Sequence, residues 1–112
     1  MYYVQKRFEI SAAHRLNLDY ASKCGALHGH NWVITVHCRS RSLNANGMVI
    51  DFSHIKEKVA SVLDHANLND VLAGNPTAEN IAFWIARQIG DTCYRVSVQE
   101  SEGNCATWEL DE

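Results

Sequence analysis

Three histidines carry the spacing of a metal site. His28 and His30 flank one glycine in His28-Gly29-His30. In an extended segment, residues i and i+2 project from one face, so both imidazoles can meet a single ion. His14 stands at the end of an earlier alternating stretch, and a hairpin-like pairing brings it to the same ion. Three neutral imidazoles leave the fourth position of a zinc ion open, the arrangement of a catalytic rather than a structural zinc. An isolated His-x-His is equally compatible with ordinary turn histidines, and both readings stand at this point. His37 and His54 read as packed or solvated side chains. Cys93 and Cys105 fall in expected strands without a nearby ligand partner, which makes them weaker ligands.

Three further groups carry acid–base potential. Cys24 lies four residues before His28, in Lys23-Cys24-Gly25. A thiol near a metal ion and a lysine can serve as nucleophile or base. A small buried hydrophobe is the competing role. Asp64-His65 ends an expected helix, and an aspartate beside a histidine can fix its tautomer for proton transfer. A histidine placed only by the helix dipole explains the same pair. Glu100 shares a strand face with Val96 and Val98, where a carboxylate needs a partner. The two-donor edge of a pterin or guanine ring would supply one. A strand that has already ended would instead leave Glu100 solvated.

The elements that must position these groups follow from periodicity. Residues 2–10 alternate as a half-buried strand, with Val4, Phe8 and Ile10 on one side. Residues 31–39 alternate again, with Trp32, Ile34, Val36 and Cys38 on one face. The polar stretch Ser40–Gly47 reads as a turn, after which Met48–Phe52 is expected to finish a hairpin. Ser53 reads as the cap of a helix over 53–64 whose stripe is Ile55, Val59, Val62 and Leu63. Asn75-Pro76 reads as cap and first position of a second helix, with Ile81, Trp84, Ile85 and Ile89 as its stripe and Gly90 as its stop. Residues 93–101 place Tyr94, Val96, Val98 and Glu100 on one face, and residues 105–110 form the last strand. Strands grouped around two sequential helices predict α+β, an antiparallel sheet with helices on one side.

Composition narrows the function. A chain of 112 residues fits one domain, 1–112, with little mass to wall off a deep private pocket. A net charge of −3 excludes a simple basic nucleic-acid module. No apolar run reaches the ~18–20 residues of a membrane span, and the charged start lacks a signal-peptide centre. A cytoplasmic location is expected, with the four cysteines as thiols and the three besides Cys24 as packing residues.

In this order, the pieces resemble the 6-pyruvoyl-tetrahydropterin synthase family over nearly the whole chain. They are Phe8-Glu9-Ile10-Ser11-Ala12-Ala13-His14-Arg15-Leu16, Cys24-x-x-x-His28-Gly29-His30-Asn31 and Gly47-Met48-Val49-Ile50-Asp51-Phe52. Leu63-Asp64-His65-Ala66-Asn67-Leu68-Asn69, Pro76-Thr77-Ala78-Glu79-Asn80 and Val98-Gln99-Glu100-Ser101 follow. The resemblance implies the tunnelling fold, ββααββ, with a four-stranded antiparallel sheet and two helices on one face. It implies assembly into barrel homo-oligomers, commonly hexamers built as a dimer of trimers, with the active site between subunits. It implies Zn²⁺ on His14, His28 and His30, Cys24 as general base, and Asp64 with His65 as a second proton-transfer unit. Glu100 would anchor the pterin, helped by main chain around Thr77, and Lys23 and Arg15 are candidate triphosphate contacts.

Members in the tetrahydrobiopterin pathway are similar in placing five residues between the cysteine and HGH, whereas queuosine-pathway members place three. Here Gly25, Ala26 and Leu27 are the three. Ser101 departs from a frequent threonine without removing a site residue. The implied reaction is zinc-dependent conversion of 7,8-dihydroneopterin triphosphate to 6-carboxytetrahydropterin, with release of acetaldehyde and triphosphate. The 6-pyruvoyl product is the alternative enzyme reading. A zinc-stabilised pterin-binding protein is the non-enzyme one, against which Cys24 argues.

Overall fold

The alternation expected over residues 2–10 does not stop at Ile10. In the computed structural model, which describes residues 1–112, strand β1 runs Tyr2–His14 and β2 runs His28–Ser40. Helices α1 (Phe52–Leu63) and α2 (Ala78–Ile89) follow, then β3 (Cys93–Ser101) and β4 (Asn104–Glu109). Short 3-10 turns occupy Lys23–Gly25 and Leu68–Asp70. All pairings are antiparallel in the order β1-β2-β3-β4. The α+β sheet with two sequential helices is therefore as expected. No helix is long and apolar enough to cross a membrane.

Both helices pack on one sheet face. Phe8 and Ile10 of β1, Trp32, Ile34 and Val36 of β2, and Val96 and Val98 of β3 meet Ile55, Val59 and Leu63 of α1. From α2 come Ile81, Ala82, Ile85, Ala86 and Ile89. Each large aliphatic side group taken fully out of water contributes about 1.5–3 kcal/mol. Val62 is exposed and Trp84 is only half-buried. The true α2 stripe uses Ala82 and Ala86, because a close helix–sheet approach favours small residues there.

Five local expectations are corrected. Asp51, not Ser53, caps α1: its Oδ1 accepts from Ser53 N at 2.8 Å and Ser53 Oγ at 2.7 Å. Thr77, not Asn75, caps α2, its Oγ1 accepting from Asn80 N at 3.2 Å, so Pro76 lies ahead of the helix. Met48–Phe52 forms no strand. Asn44 Oδ1 instead takes the N–H of Asn46 and Met48, Gly47 turns at φ +78°, and Asp51 and Phe52 enter α1. Tyr94 leaves the core face because the β2–β3 register shifts between His37 and Cys38. That shift sets Cys93 against Cys38 in the core and Tyr94 against Tyr3, at 5.8 Å between ring centroids. Cys105 is exposed rather than packed, while all four cysteines are free thiols as expected.

Trp32 is fully buried and its Nε1 donates to Ala12 O at 3.1 Å. Trp32→Ala is expected to lower unfolding free energy by about 3–5 kcal/mol, read from urea denaturation. A loss below about 1 kcal/mol would show that the sheet does not depend on this ring.

Candidate metal centre and adjoining cavity

The two-residue period that builds the core carries three histidines to its end. In the β1–β2 register, Phe8 faces Ile34, Ile10 faces Trp32, Ala12 faces His30 and His14 faces His28. All three imidazoles therefore lie on the core side of the sheet. Their ring centroids are 4.6 Å apart for His14 and His28, 4.8 Å for His28 and His30, and 5.3 Å for His14 and His30. Their ligand atoms fall within 4.8 Å of one another. Trp32 closes the inner side edge-on, 4.9 Å from His14 and 5.3 Å from His30.

Backbone carbonyls set the ring orientations. His14 Nδ1 lies 2.7 Å from Pro76 O, and His28 Nδ1 lies 2.7 Å from Ala26 O. A carbonyl only accepts, so each Nδ1 is the protonated nitrogen and each Nε2 keeps its lone pair. His14 Nε2 and His30 Nε2 are buried without a hydrogen-bond partner. Leaving a buried polar atom unpaired costs about 1–3 kcal/mol. Converging orphaned imidazole nitrogens fit a divalent ion of the zinc type, which takes neutral histidine. Burial is the main reason that the His14 pKa lies below its ordinary value, and His28 and His30 add to the effect. The shift keeps the ring in the ligand form.

Glu100 continues the β3 row of Val96 and Val98 and turns toward this cluster. Its Oε1 is 3.4 Å from His30 Nε2 and its Oε2 is 3.8 Å from His14 Nε2. Glu100 and Thr77 line one cavity of about 670 Å³, together with Tyr20, Leu18 and Cys105. The expected substrate-binding pair thus lines the same cavity.

Cys24 sits on the Lys23–Gly25 turn, partly buried, with its N–H donating to Ser22 Oγ at 3.1 Å. Its carbonyl accepts from Leu16 N at 2.7 Å, two residues beyond His14. Arg15 lines a neighbouring cavity of about 700 Å³ with Asn17, Tyr20, Asn69 and Asn75.

The Asp64–His65 pair is not brought into this cluster. Asp64 Oδ1 accepts from Ser11 N at 2.9 Å, and His65 N donates to Ser11 O at 2.6 Å. Ala13 N donates to Ala66 O at 3.0 Å, so residues 64–66 cover part of the free edge of β1. Asp64 Oδ2 lies 3.7 Å from His65 Nε2. His65 is 84% exposed and holds φ +61°, a conformation uncommon outside glycine. It borders a depression of about 410 Å³ lined by residues 11–13 of β1, residues 29–31 of β2 and Ala66, so His30 of the imidazole cluster borders it too.

Sequence reasoning missed the carbonyls of Pro76 and Ala26, because a main-chain acceptor has no side-group signature. Tyr20 was also missed, although an exposed aromatic in a polar loop is a usable signal.

The family description 6-pyruvoyl tetrahydropterin synthase matches residues 3–111. The chain belongs to the 6-pyruvoyl tetrahydropterin synthase family. Its relatives in this family bear different activity names. An Archaeoglobus fulgidus protein provisionally named 6-carboxy-5,6,7,8-tetrahydropterin synthase is 37% identical, covering 86% of this chain and 85% of its own. A Pyrococcus furiosus dihydroneopterin monophosphate aldolase is 37% identical, covering 74% and 70% respectively. The solved structure of Caenorhabditis elegans 6-pyruvoyl tetrahydropterin synthase superposes with a TM-score of 0.76 at 25% identity, covering 98% of this chain and 96% of that one. The 6-pyruvoyl tetrahydropterin synthase family thus accounts for the sheet, the helices and their order.

The depressed His14 pKa makes stability pH-dependent. The unfolded chain takes up a proton near 6.5, while folded His14 resists protonation until lower pH. This contribution is complete above the unfolded value and is lost as pH falls through the folded one. His37, also lowered by burial and then by Arg95, acts in the same direction. Chelator-treated protein should show a lower urea midpoint at about pH 5.5 than at about pH 7.5. His14→Gln should flatten part of that slope, and an unchanged slope would contradict the assignment.

Proposed function

We propose that the chain is a zinc-dependent 6-carboxy-5,6,7,8-tetrahydropterin synthase. Its substrates would be 7,8-dihydroneopterin triphosphate and one water, which supplies the second carboxylate oxygen, and its products 6-carboxytetrahydropterin, acetaldehyde and triphosphate, within queuosine (7-deazaguanine) biosynthesis. The observation that carries the reading is the convergence of His14, His28 and His30, two with orphaned Nε2 atoms, beside the Glu100 carboxylate. The three-residue spacing between Cys24 and His28 favours this member of the family over the 6-pyruvoyl one.

His14, His28 and His30 would hold the ion. Bound zinc supplies a Lewis acid that makes a nearby C–H bond of the substrate more acidic. Glu100 accepts the paired donors of the pterin edge, and main chain at Thr77 supports the same end of the ring. Cys24 takes the carbon-bound proton, and His65, oriented by Asp64, exchanges the second one. Asp64 and His65 lie at the β1 edge, outside the group of three imidazoles, and His65 is exposed, which supports a site completed by a second copy. The β1 and β4 edges would meet across such an interface, in a hexamer formed as a dimer of trimers.

The test is incubation with 7,8-dihydroneopterin triphosphate, with and without chelator, followed by product identification. Acetaldehyde with 6-carboxytetrahydropterin, lost on chelation, is expected. A 6-pyruvoyl product would move the chain to the other synthase, and a 6-hydroxymethyl product to aldol cleavage. Cys24→Ala is expected to reduce turnover by at least about 100-fold while zinc stays near one per chain. Loss of zinc with the thiol would make Cys24 a ligand instead of a base.

A further inference from the structure

Beyond His14 the chain leaves β1, yet five of the six main-chain polar groups of residues 15–17 are paired. Arg15 N donates to Asn69 Oδ1 at 2.8 Å, and Asn69 Nδ2 donates back to Arg15 O at 2.9 Å. Asn17 N donates to Asn75 Oδ1 at 2.7 Å, and Asn75 Nδ2 donates back to Asn17 O at 3.0 Å. Each asparagine amide therefore grips both polar groups of one residue, as a neighbouring strand would. Only a carboxamide offers a donor and an acceptor side by side in one plane, and glutamine adds a methylene to the reach.

Between the two grips, Leu16 N donates to Cys24 O at 2.7 Å. The far side of the grip is anchored as well. Asn75 O accepts from Asn80 Nδ2 at 2.8 Å and from Thr77 N at 2.9 Å. The next residue, Pro76, supplies the carbonyl that orients His14. Hydrogen bonds from the start of α2 to Asn75 and on to Asn17, joined through the Leu16–Asn17 backbone to the Leu16 N to Cys24 O bond, thus connect α2 to the turn that carries the Cys24 thiol. Asn69 anchors the same segment from the Leu68–Asp70 turn.

We propose that Asn69 and Asn75 are positioning residues: two-point clamps on Arg15 and Asn17 that hold the Cys24 thiol in register with the histidine cluster. The catalytic part of this inference rests on the assignment of Cys24 as the base. The clamps touch main chain only, so they act through Cys24 and take no proton themselves.

The test is peptide-resolved alkylation of zinc-loaded protein by iodoacetamide over a pH series, in wild type, Asn69→Ala and Asn75→Ala. Released from its clamp, Cys24 should label about 10-fold faster, with a displaced pH profile, because access and surroundings of the thiol change. Exposed Cys105 serves as a control and should label unchanged, while buried Cys38 and Cys93 stay unlabelled. Zinc should remain near one per chain. Where wild type turns substrate over, kcat should fall about 10- to 100-fold with KM within about 3-fold. Unchanged Cys24 labelling and pH profile in both variants would overturn the proposal. If the alanine variants expose Cys38 and Cys93, Asn69→Asp and Asn75→Asp are read in the same assay with the same two outcomes. These keep the acceptor arm and lose the donor arm. Labelling needs no turnover, so an inactive wild type would count against the proposed reaction alone and leave the clamps judged on the thiol.

Discussion

The register between β1 and β2 is the constraint on which the site depends. His14 faces His28 and Ala12 faces His30 only because Phe8 faces Ile34 and Ile10 faces Trp32 in the core. A slip of one residue would turn every residue of a strand to the opposite face. Burial of the apolar row against α1 and α2 therefore sets the place of the histidine cluster as well. The polar cluster does not specify its own placement. It occupies the end of a row whose position the hydrophobic effect has already decided.

Once that row is set, main-chain groups refine it. Pro76 O and Ala26 O each engage one Nδ1, which leaves Nε2 free on His14 and His28. Pro76 lies ahead of α2 because Thr77 takes the capping role, so the helix start and the ring orientation are one feature. Residues 64–66 do the corresponding thing on the other side of β1. They cover its edge, which leaves Asp64 and His65 away from the imidazoles.

Much of the fold was legible because period two and period 3.6 survive without context. Trp32, Ile34, Val36 and Ile81, Ile85, Ile89 announce their faces through spacing alone. Caps and ends were less legible. Asp51, Ser53, Asn75 and Thr77 are all competent caps, and which one acts depends on where the preceding loop ends. Tyr94 and Cys93 exchanged places because a register shift arises between strands and not within one.

The sequence by itself determined the chemical inventory: three imidazoles at strand spacing, a thiol before them, and a carboxylate on an apolar row. Its ordered motifs were enough to indicate the 6-pyruvoyl tetrahydropterin synthase family. The tertiary structure alone decided which of these groups meet. It joined His14, His28, His30 and Glu100, set Thr77 on the same cavity as Glu100, and tied Asp64 and His65 to the β1 edge outside the imidazole cluster. It also brought in the carbonyls of Pro76 and Ala26 and the clamps of Asn69 and Asn75. The reason is physical. Local spacing dictates the face on which a residue emerges, whereas pairs more than 50 residues apart, such as His14 with Pro76, arise only when the core closes.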